Sequence, residues 1–292
     1  MKAVVCNDAK LSVRDLPEPK PGKGKVLLNV LRCGICGSDL HARHHCDHMR
    51  HSMERVGYME FPRADQDLVF GHEFCGEIID YGPGCERKLP IGTRACAVPA
   101  IRIGTSVELL GFSTRANGAY AEQVVTEESL LVPIPNGLSE DLAALTEPMA
   151  VAWHAVRRGE VAKGDVAIVI GCGPVGLGVI CMLKAAGVRT VIASDFSSGR
   201  RALAKQCGAD IVVDPAKESP YATWQEYGFI GTLPGLLELA VGTREKIGKL
   251  PLPWWHVWRI AEAIGPKPKR PVIFECVGVP GVLQNIIDGA PL

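Results

Sequence analysis

The chain has 292 residues, which is enough for two domains of ordinary size, each with its own core. It is 47% hydrophobic and 22% charged, as expected of a globular protein, and its 32 basic residues balance 32 acidic ones. This balance argues against nucleic acid or an anionic membrane as a partner. The amino terminus has no basic segment followed by an apolar core, so no secretory signal is predicted. We therefore expect a cytoplasmic protein whose 11 cysteines are reduced thiols, some of them metal ligands.

The first half of the chain has the pattern of short strands separated by glycine and proline. The strand candidates are KVLLNVL, GHEFCGEIIDYG and AYAEQVV. They predict an irregular, mostly antiparallel β domain over residues 1–152. Between two of these strands, residues 41–70 are polar and hold five of the eight histidines. We expect a long loop here, with most of its histidines solvated. The alternative is adventitious metal chelation by the cluster of His41, His44, His45, Cys46, His48 and His51.

The second half alternates between strand and helix patterns over residues 153–292. The strand candidates are VAIVI, VIASD, IVVDP and PVIFECVG, and SSGRRALAKQCGA has helical spacing. Strands that alternate with helices predict a parallel, doubly wound sheet. Residues 216–271 are longer than one crossover helix requires, so we expect an insert there.

A tryptophan-rich stretch lies inside this insert. Helical spacing places five apolar residues on one face: Trp254, Val257, Trp258, Ala261 and Ile264. An amphipathic stripe of this kind usually packs on its own domain, and that is the expectation here.

The stretch GCGPVG follows the strand VAIVI and precedes a helix, the context in which this motif binds dinucleotides. Gly171 permits the tight turn, Gly173 lets a pyrophosphate approach the backbone, and Gly176 lets helix and strand pack closely. Pro174 and Val175 begin the helix, whose free amides and dipole attract phosphate.

Asp195 ends the second strand, nineteen residues after Gly176. Its carboxylate can accept hydrogen bonds from both ribose hydroxyls but would repel a ribose 2′-phosphate, so NAD is predicted rather than NADP. Val277 and Gly278 follow the fourth strand and are expected to border the nicotinamide.

Two further stretches, GICGSDLH and GHEFCGE, concentrate side chains that bind metals. A catalytic zinc needs about three protein ligands of cysteine, histidine or carboxylate type and one open position. Four residues meet this need by type: Cys36, His72, Glu73 and Glu147.

The motifs GICGSDLH, GHEFCGE, TEPMAVAWHAV and GCGPVG, in this order, resemble the zinc-dependent medium-chain dehydrogenases. The likeness is to the sorbitol, butanediol and threonine dehydrogenase branch, and it covers nearly the whole chain apart from the insert. It implies a GroES-like catalytic domain over residues 1–152 and a Rossmann domain over 153–292. It also implies Cys36 and His72 as zinc ligands, with Glu73 and Glu147 competing for the third protein position.

The same resemblance implies roles for residues around the metal. Asp39 would hydrogen-bond to His72 and fix its ring. Ser38 and His41 match the positions of the family's proton relay, although a turn-forming serine and a surface histidine are the alternatives. Where the family often has four closely spaced cysteines for a structural zinc, this chain has only Cys96 nearby. We therefore expect one catalytic zinc and no structural zinc.

The implied reaction is reversible hydride transfer between a secondary alcohol or vicinal diol and NAD, with a small-molecule substrate. A homo-oligomer is compatible with the family. The sequence ends one helix after PVIFECVG, where a six-stranded nucleotide domain would continue. We therefore expect an incomplete Rossmann domain and a poor catalyst. The alternatives are a truncated, non-catalytic nucleotide-binding protein and a zinc-free quinone or enone reductase.

Overall fold

The computed structural model describes residues 1–135, 137–221, 227, 229, 232–251, 253–264 and 271–290. The chain divides into two compact units, Met1–Pro148 and Met149–Leu292. None of the helices in the described ranges is both long and apolar enough to span a membrane.

Antiparallel strands build the first unit. They are β1 (Lys2–Asn7), β2 (Lys10–Asp15), β3 (Lys25–Cys33), β4 (Leu68–Val69), β5 (Phe74–Tyr81), β6 (Arg94–Ala97), β7 (Ala100–Ile103), β8 (Ser106–Leu109), β9 (Gln123–Glu127) and β10 (Leu131–Pro133). A five-stranded sheet has the order β10-β6-β5-β3-β9, a three-stranded sheet has the order β2-β1-β4, and β7 pairs with β8. The central strands β3 and β5 bury Val26, Leu28 and Ile78 on one face of the larger sheet. The last pair between these two strands is Cys33 with Phe74.

The helices of the first unit change one prediction. They are α1 (Gly37–His44), α2 (Cys46–Arg55), a 3₁₀ turn (Glu128–Leu130), α3 (Glu140–Ala143) and α4 (Thr146–Arg158), which continues into the second unit. The loop expected over residues 41–70 is wrong for its first half, because α1 and α2 cover it. Four residues at helical spacing pack against a core that contains Phe61 and Phe112: Ala42, Cys46, Met49 and Met53. Charged and histidine neighbours hid this apolar stripe in the sequence.

A buried glutamate holds the turn that follows the β7–β8 hairpin. Glu108 is fully buried and accepts hydrogen bonds from the hydroxyls of Ser106, at 2.9 Å, and Ser113, at 2.5 Å. The guanidinium of Arg115 pairs with the same carboxylate. Glu108 and its hydrogen-bond donors therefore hold together a segment that contains no cysteine.

The second unit is built on a four-stranded parallel sheet. Its elements are β11 (Val166–Ile170), α5 (Pro174–Ala185), β12 (Thr190–Ser194), α6 (Ser198–Gln206), β13 (Ile211–Val213), α7 (Leu233–Gly248), α8 (Trp254–Ile264), β14 (Pro271–Glu275) and α9 (Val282–Gly289). The strand order is β13-β12-β11-β14, with every neighbouring pair parallel. Ile168 and Ile192 are fully buried on one face of the sheet, as uninterrupted apolar strands predict. The chain order reverses between β11 and β14, and a ligand crevice is expected at the carboxyl ends of strands at such a point.

Helices α7 and α8 lie within the predicted insert and contact each other. The Arg244 guanidinium stands 4.7 Å from the centre of the Trp254 ring. The expected packing of the tryptophan stripe is only partly observed, because Trp254 is 39% and Trp258 is 53% exposed. The side chains at positions 261 and 264 of the predicted stripe lie outside the described part of the chain.

Candidate metal and dinucleotide sites

Three of the predicted metal ligands converge in the first unit. Cys36 immediately precedes α1, while His72 and Glu73 immediately precede β5. Their ligand atoms, a thiol sulfur, a ring nitrogen and a carboxylate oxygen, all lie within 4.8 Å of one another. Across the described residues, no other group of histidine, cysteine and carboxylate side chains meets this criterion. A soft, a borderline and a hard ligand around one point is a donor set that suits zinc and leaves a fourth position free.

A glycine opposite Glu73 makes room for its carboxylate. The amide of Gly34 donates to the backbone carbonyl of Glu73 at 2.7 Å, which holds the two segments side by side. A Cβ on Gly34 would collide with Oε2 of Glu73. Gly34 is therefore required for Glu73 to keep this position beside Cys36 and His72.

Asp39 contacts both segments that carry the predicted metal ligands Cys36 and His72. Its Oδ2 accepts hydrogen bonds from the amide of Cys36, at 3.1 Å, and from the hydroxyl of Tyr120, at 2.8 Å. Its Oδ1 lies 3.3 Å from Nδ1 of His72, and neither of these two buried atoms has a hydrogen-bond partner. A small rotation of the His72 ring would make Nδ1 a donor to Asp39 and leave Nε2 as the metal-binding atom. This is the outer support that the ligand histidines of metal sites commonly receive.

The electrostatics of this site favour a cation. Burial lowers the pKa of His72, but the neighbouring Asp39 and Cys36 outweigh it and raise that pKa to about 10. Surroundings that stabilise a positive charge on the ring would also stabilise a metal ion. The residues present therefore fit zinc in both donor chemistry and charge.

Glu147 lies outside the convergent group but within its electrostatic reach. Burial raises the pKa of its carboxyl group, His72 lowers it, and the negative charges of Glu73 and Asp39 raise it further. Of the two competing glutamates, Glu73 is the one grouped with Cys36 and His72.

The two relay candidates have different surroundings. The hydroxyl of Ser38 is 3.4 Å from Nε2 of His72, so Ser38 borders the metal-binding face of the ring. His41 lies one helical turn further along α1, is exposed, and has ring contacts to His45 and His48. Tyr120, whose hydroxyl holds Asp39, was missed in the sequence, where it appeared only as a strand residue.

In the second unit, the glycine motif forms the turn between β11 and α5. Gly171 has a φ of +91°, and a Cβ there would come within 2.6 Å of Val277, so other residues are strained at this position. A Cβ on Gly176 would collide with the carbonyl oxygen of Gly171, which explains the close packing of helix and strand. A Cβ on Gly173 would meet nothing within 4 Å. The backbone at Gly173 is thus open where Pro174 and Val175 begin α5, as a pyrophosphate would require.

Asp195 stands directly after β12 and holds the glycine turn in place. Its Oδ2 accepts a hydrogen bond from the amide of Cys172 at 2.8 Å, and its Oδ1 accepts one from the amide of Ser197 at 2.7 Å. Each carboxylate oxygen has a second acceptor position, so both can still bind a hydroxyl. The guanidinium of Arg200 lies 3.8 Å from Oδ2 and is 59% exposed.

A cavity of about 890 Å³ opens beside Asp195 at the carboxyl ends of the strands, and Gly171, Val277 and Tyr221 are among its lining residues. The amides of Val277 and Gly278 both donate to a carboxylate oxygen of Glu275, at 2.7 and 2.9 Å. These bonds fix the turn after β14 at the edge of the cavity. Its volume and position suit a dinucleotide.

Known family domains match both halves of the chain. Residues 22–136 match the alcohol dehydrogenase GroES-like domain, and residues 174–289 match the zinc-binding dehydrogenase domain. The chain belongs to the zinc-type medium-chain alcohol and polyol dehydrogenase family. The predicted fold class, a GroES-like β domain followed by a Rossmann domain, is confirmed. Membership of this family supports zinc and a nicotinamide dinucleotide as the cofactors.

Among its relatives, (R,R)-butanediol dehydrogenase of Bacillus subtilis is 36% identical over 72% of this chain and 62% of its own length. The chain thus spans less than two thirds of that curated relative. The crystal structure of 2R,3R-butanediol dehydrogenase from Bacillus subtilis has a TM-score of 0.68 at 31% identity, covering 99% of this chain and 74% of that one. A zinc-binding dehydrogenase from Sinorhizobium meliloti bound to NADP has a TM-score of 0.65 at 29% identity, covering 75% of this chain and 63% of that one.

Proposed function

We propose that this chain is a zinc-dependent oxidoreductase that transfers hydride between a secondary alcohol or vicinal diol and NAD. The observation that carries the proposal is the convergence of Cys36, His72 and Glu73 within 4.8 Å in a buried setting that favours a cation. The butanediol substrate in the name of the Bacillus subtilis relative supports a diol with neighbouring hydroxyls.

Cys36, His72 and Glu73 would hold one zinc ion, and Asp39 would orient the His72 ring. When bound, zinc supplies a Lewis acid that lowers the pKa of an alcohol hydroxyl, while NAD supplies the hydride acceptor. Glu147, outside the ligand group, stays close enough to influence its charge.

The hydroxyl of Ser38, which is 3.4 Å from Nε2 of His72, would take a proton from a substrate hydroxyl bound beside that ring. His41 would then pass that proton towards solvent, because it is exposed on the same helix. In the second unit, Gly171, Gly173 and Gly176 would shape the pyrophosphate site and Asp195 would bind the ribose hydroxyls.

Asp195 is the reason to propose NAD over NADP. A 2′-phosphate would be placed against a carboxylate that already holds two backbone amides. Because both amides depend on the carboxylate, Asp195 cannot turn away without loosening the glycine turn.

Metal analysis of the purified full chain tests the zinc assignment, with about one equivalent expected. Cys36→Ser should lose the metal, because it replaces a thiolate with a poor ligand. Cys85→Ser is the matched control: its half-buried sulfur donates to the carbonyl of Lys25, at 3.2 Å, and it should retain zinc. Full zinc in the Cys36 variant would overturn the site.

The reaction is tested separately, by following NADH formation with a vicinal diol. Turnover that depends on both zinc and Cys36 is expected. Diol-independent reduction of a quinone or enone by the Cys36 variant would favour the zinc-free reductase instead. NAD binding with zinc present but without turnover would favour the non-catalytic nucleotide-binding protein.

A further inference from the structure

Three exposed histidines of the first unit come together outside the proposed zinc site. The ring centres of His41 and His45 are 5.0 Å apart, and those of His41 and His48 are 6.0 Å apart. The proposed reaction uses His41 alone and gives no role to the other two.

The backbone holds these three positions around the junction of α1 and α2. The backbone amide of His45 donates to the carbonyl of His41 at 2.8 Å, and the backbone amide of Met49 donates to the carbonyl of His45 at 2.9 Å. His45 itself is not helical, with φ −135° and ψ 42°, and it joins the end of α1 to the start of α2. These two hydrogen bonds hold the junction in place, with His41 on α1, His45 at the junction and His48 on α2.

The other side of the same helices is anchored. Ala42 is buried, and Cys46 and Met49 pack against the cluster that contains Phe61 and Phe112. Packing therefore fixes the backbone that carries the three imidazoles, while the imidazoles themselves are exposed to solvent. Fixed positions lower the ordering cost of binding a ligand.

The two ring separations measured from His41 are in the range of imidazoles that share one metal ion. With a metal–nitrogen bond of about 2.1 Å and about 1.1 Å from nitrogen to ring centre, each ring centre lies about 3.2 Å from the metal. Two such rings at a tetrahedral angle have centres about 5.2 Å apart, and a wider angle gives about 6 Å. The ligand atoms of the three histidines are not gathered as closely as those of the Cys36 group. Because all three side chains are exposed, rotation about their own bonds would close the gap.

We propose that His41, His45 and His48 form a second metal site, for a divalent transition metal of the zinc, nickel or copper type. Three imidazole nitrogens suit these ions and do not suit calcium or magnesium, which require oxygen ligands. The consequence rests on the proposed function: a metal here would occupy the ring nitrogen with which His41 passes protons. The site is therefore inhibitory to alcohol oxidation.

Titration of the zinc-loaded full chain with Ni²⁺, followed by calorimetry, tests the site. One additional saturable equivalent is expected, and His45→Ala or His48→Ala should each weaken its affinity about tenfold or more. His44→Ala is the matched control, because it removes an exposed imidazole from the same helix as His41 and should leave the affinity unchanged. Equal weakening by His44→Ala, or the absence of saturable binding, would overturn the site.

Inhibition is measured in the same preparations. Ni²⁺ should slow diol oxidation by the parent chain and leave the His45→Ala variant unaffected at the same concentration. Nickel bound at the three histidines with undiminished turnover would overturn the inhibitory role. A zinc-loaded parent without turnover would count against the proposed function, while the calorimetric result would still decide the metal site.

Discussion

At the scale of single residues, carboxylates do most of the organising in this protein. Asp39 links the Cys36 amide, the Tyr120 hydroxyl and the His72 ring, and Asp195 links two backbone amides of the cofactor turn. Asp195 was predicted from its spacing after the glycine motif, and Asp39 from what the resemblance to the family implies. Tyr120 could not be predicted, because its contact with Asp39 spans 81 positions of the chain.

Asp195 is predicted to control the choice between NAD and NADP. Asp195→Ala should narrow the ratio of NAD to NADP affinity, since it removes the like charge and frees the exposed Arg200 for a 2′-phosphate. Asp210→Ala is the control, because this carboxylate pairs with Lys184 at 3.0 Å and lies just before β13, at the opposite end of the sheet from Asp195. Binding of both cofactors would be measured by fluorescence titration. An unchanged ratio in the Asp195 variant would remove it as the ribose ligand.

Glu108 is predicted to be the most sensitive carboxylate for stability. Glu108→Ala leaves the buried Ser113 hydroxyl without its acceptor, and we expect a loss of about 2–4 kcal/mol in the free energy of unfolding. Denaturant unfolding of the full chain measures this. Glu86→Ala removes an exposed partner of Lys88 and should cause no measurable change. Comparable stability of the two variants would show that the buried network is dispensable.

At the scale of elements, the parallel sheet was predictable because its strands are uninterrupted apolar runs that end at glycine or aspartate. VAIVI and VIASD became β11 and β12 with only the final aspartate left outside. The segment before β4 was not predictable as helix, because four apolar residues spread over twelve positions are obscured by histidines and charges. Tertiary packing against Phe61 and Phe112 decides its conformation.

The turn between β11 and α5 allows two glycines to be separated by function. Gly176→Ala should destabilise the cofactor-free protein by about 2–3 kcal/mol, because the added methyl group meets the Gly171 carbonyl. Gly173→Ala has open space and should cost less than about 1 kcal/mol, yet it should weaken NAD binding roughly tenfold by obstructing the pyrophosphate. Thermal unfolding and NAD titration are measured on both. Equal effects on stability would contradict the assignment of Gly173 to the cofactor.

At the scale of the whole molecule, each unit has its own core and its own half of the chemistry. The proposed metal site lies in Met1–Pro148, and the cavity proposed for the dinucleotide lies in Met149–Leu292. Helices α7 and α8 belong to neither site, and α7 has no buried residue among those described. The order of the motifs along the chain predicts one domain for the metal site and a second domain for the dinucleotide. The arrangement of α7 and α8 could not be predicted, because their apolar residues indicate burial while the structure exposes many of them.

Replacing residues 230–268 with a short glycine–serine linker tests whether the two sites are independent of α7 and α8. Zinc content and NAD affinity should both be retained, and self-association should fall because exposed leucines and tryptophans are removed. Metal analysis, NAD titration and light scattering are the measurements. A variant that lacks only α8 serves as the intermediate case. Loss of NAD binding on removal of the two helices would show that they support the cofactor site.

The pairing of Cys33 with Phe74 puts the proposed metal site at the end of the β3–β5 pairing. Cys36 follows the last residue of β3 by three positions, and Glu73 immediately precedes the first residue of β5. A bound ion would therefore cross-link the ends of β3 and β5. The amides nearest to it would then exchange with solvent only when these strand ends separate. If the metal binds only the closed form, a free metal concentration of a hundred times its dissociation constant raises the free energy of opening by about 2.7 kcal/mol. Local hydrogen exchange along these two strands should therefore depend on metal concentration.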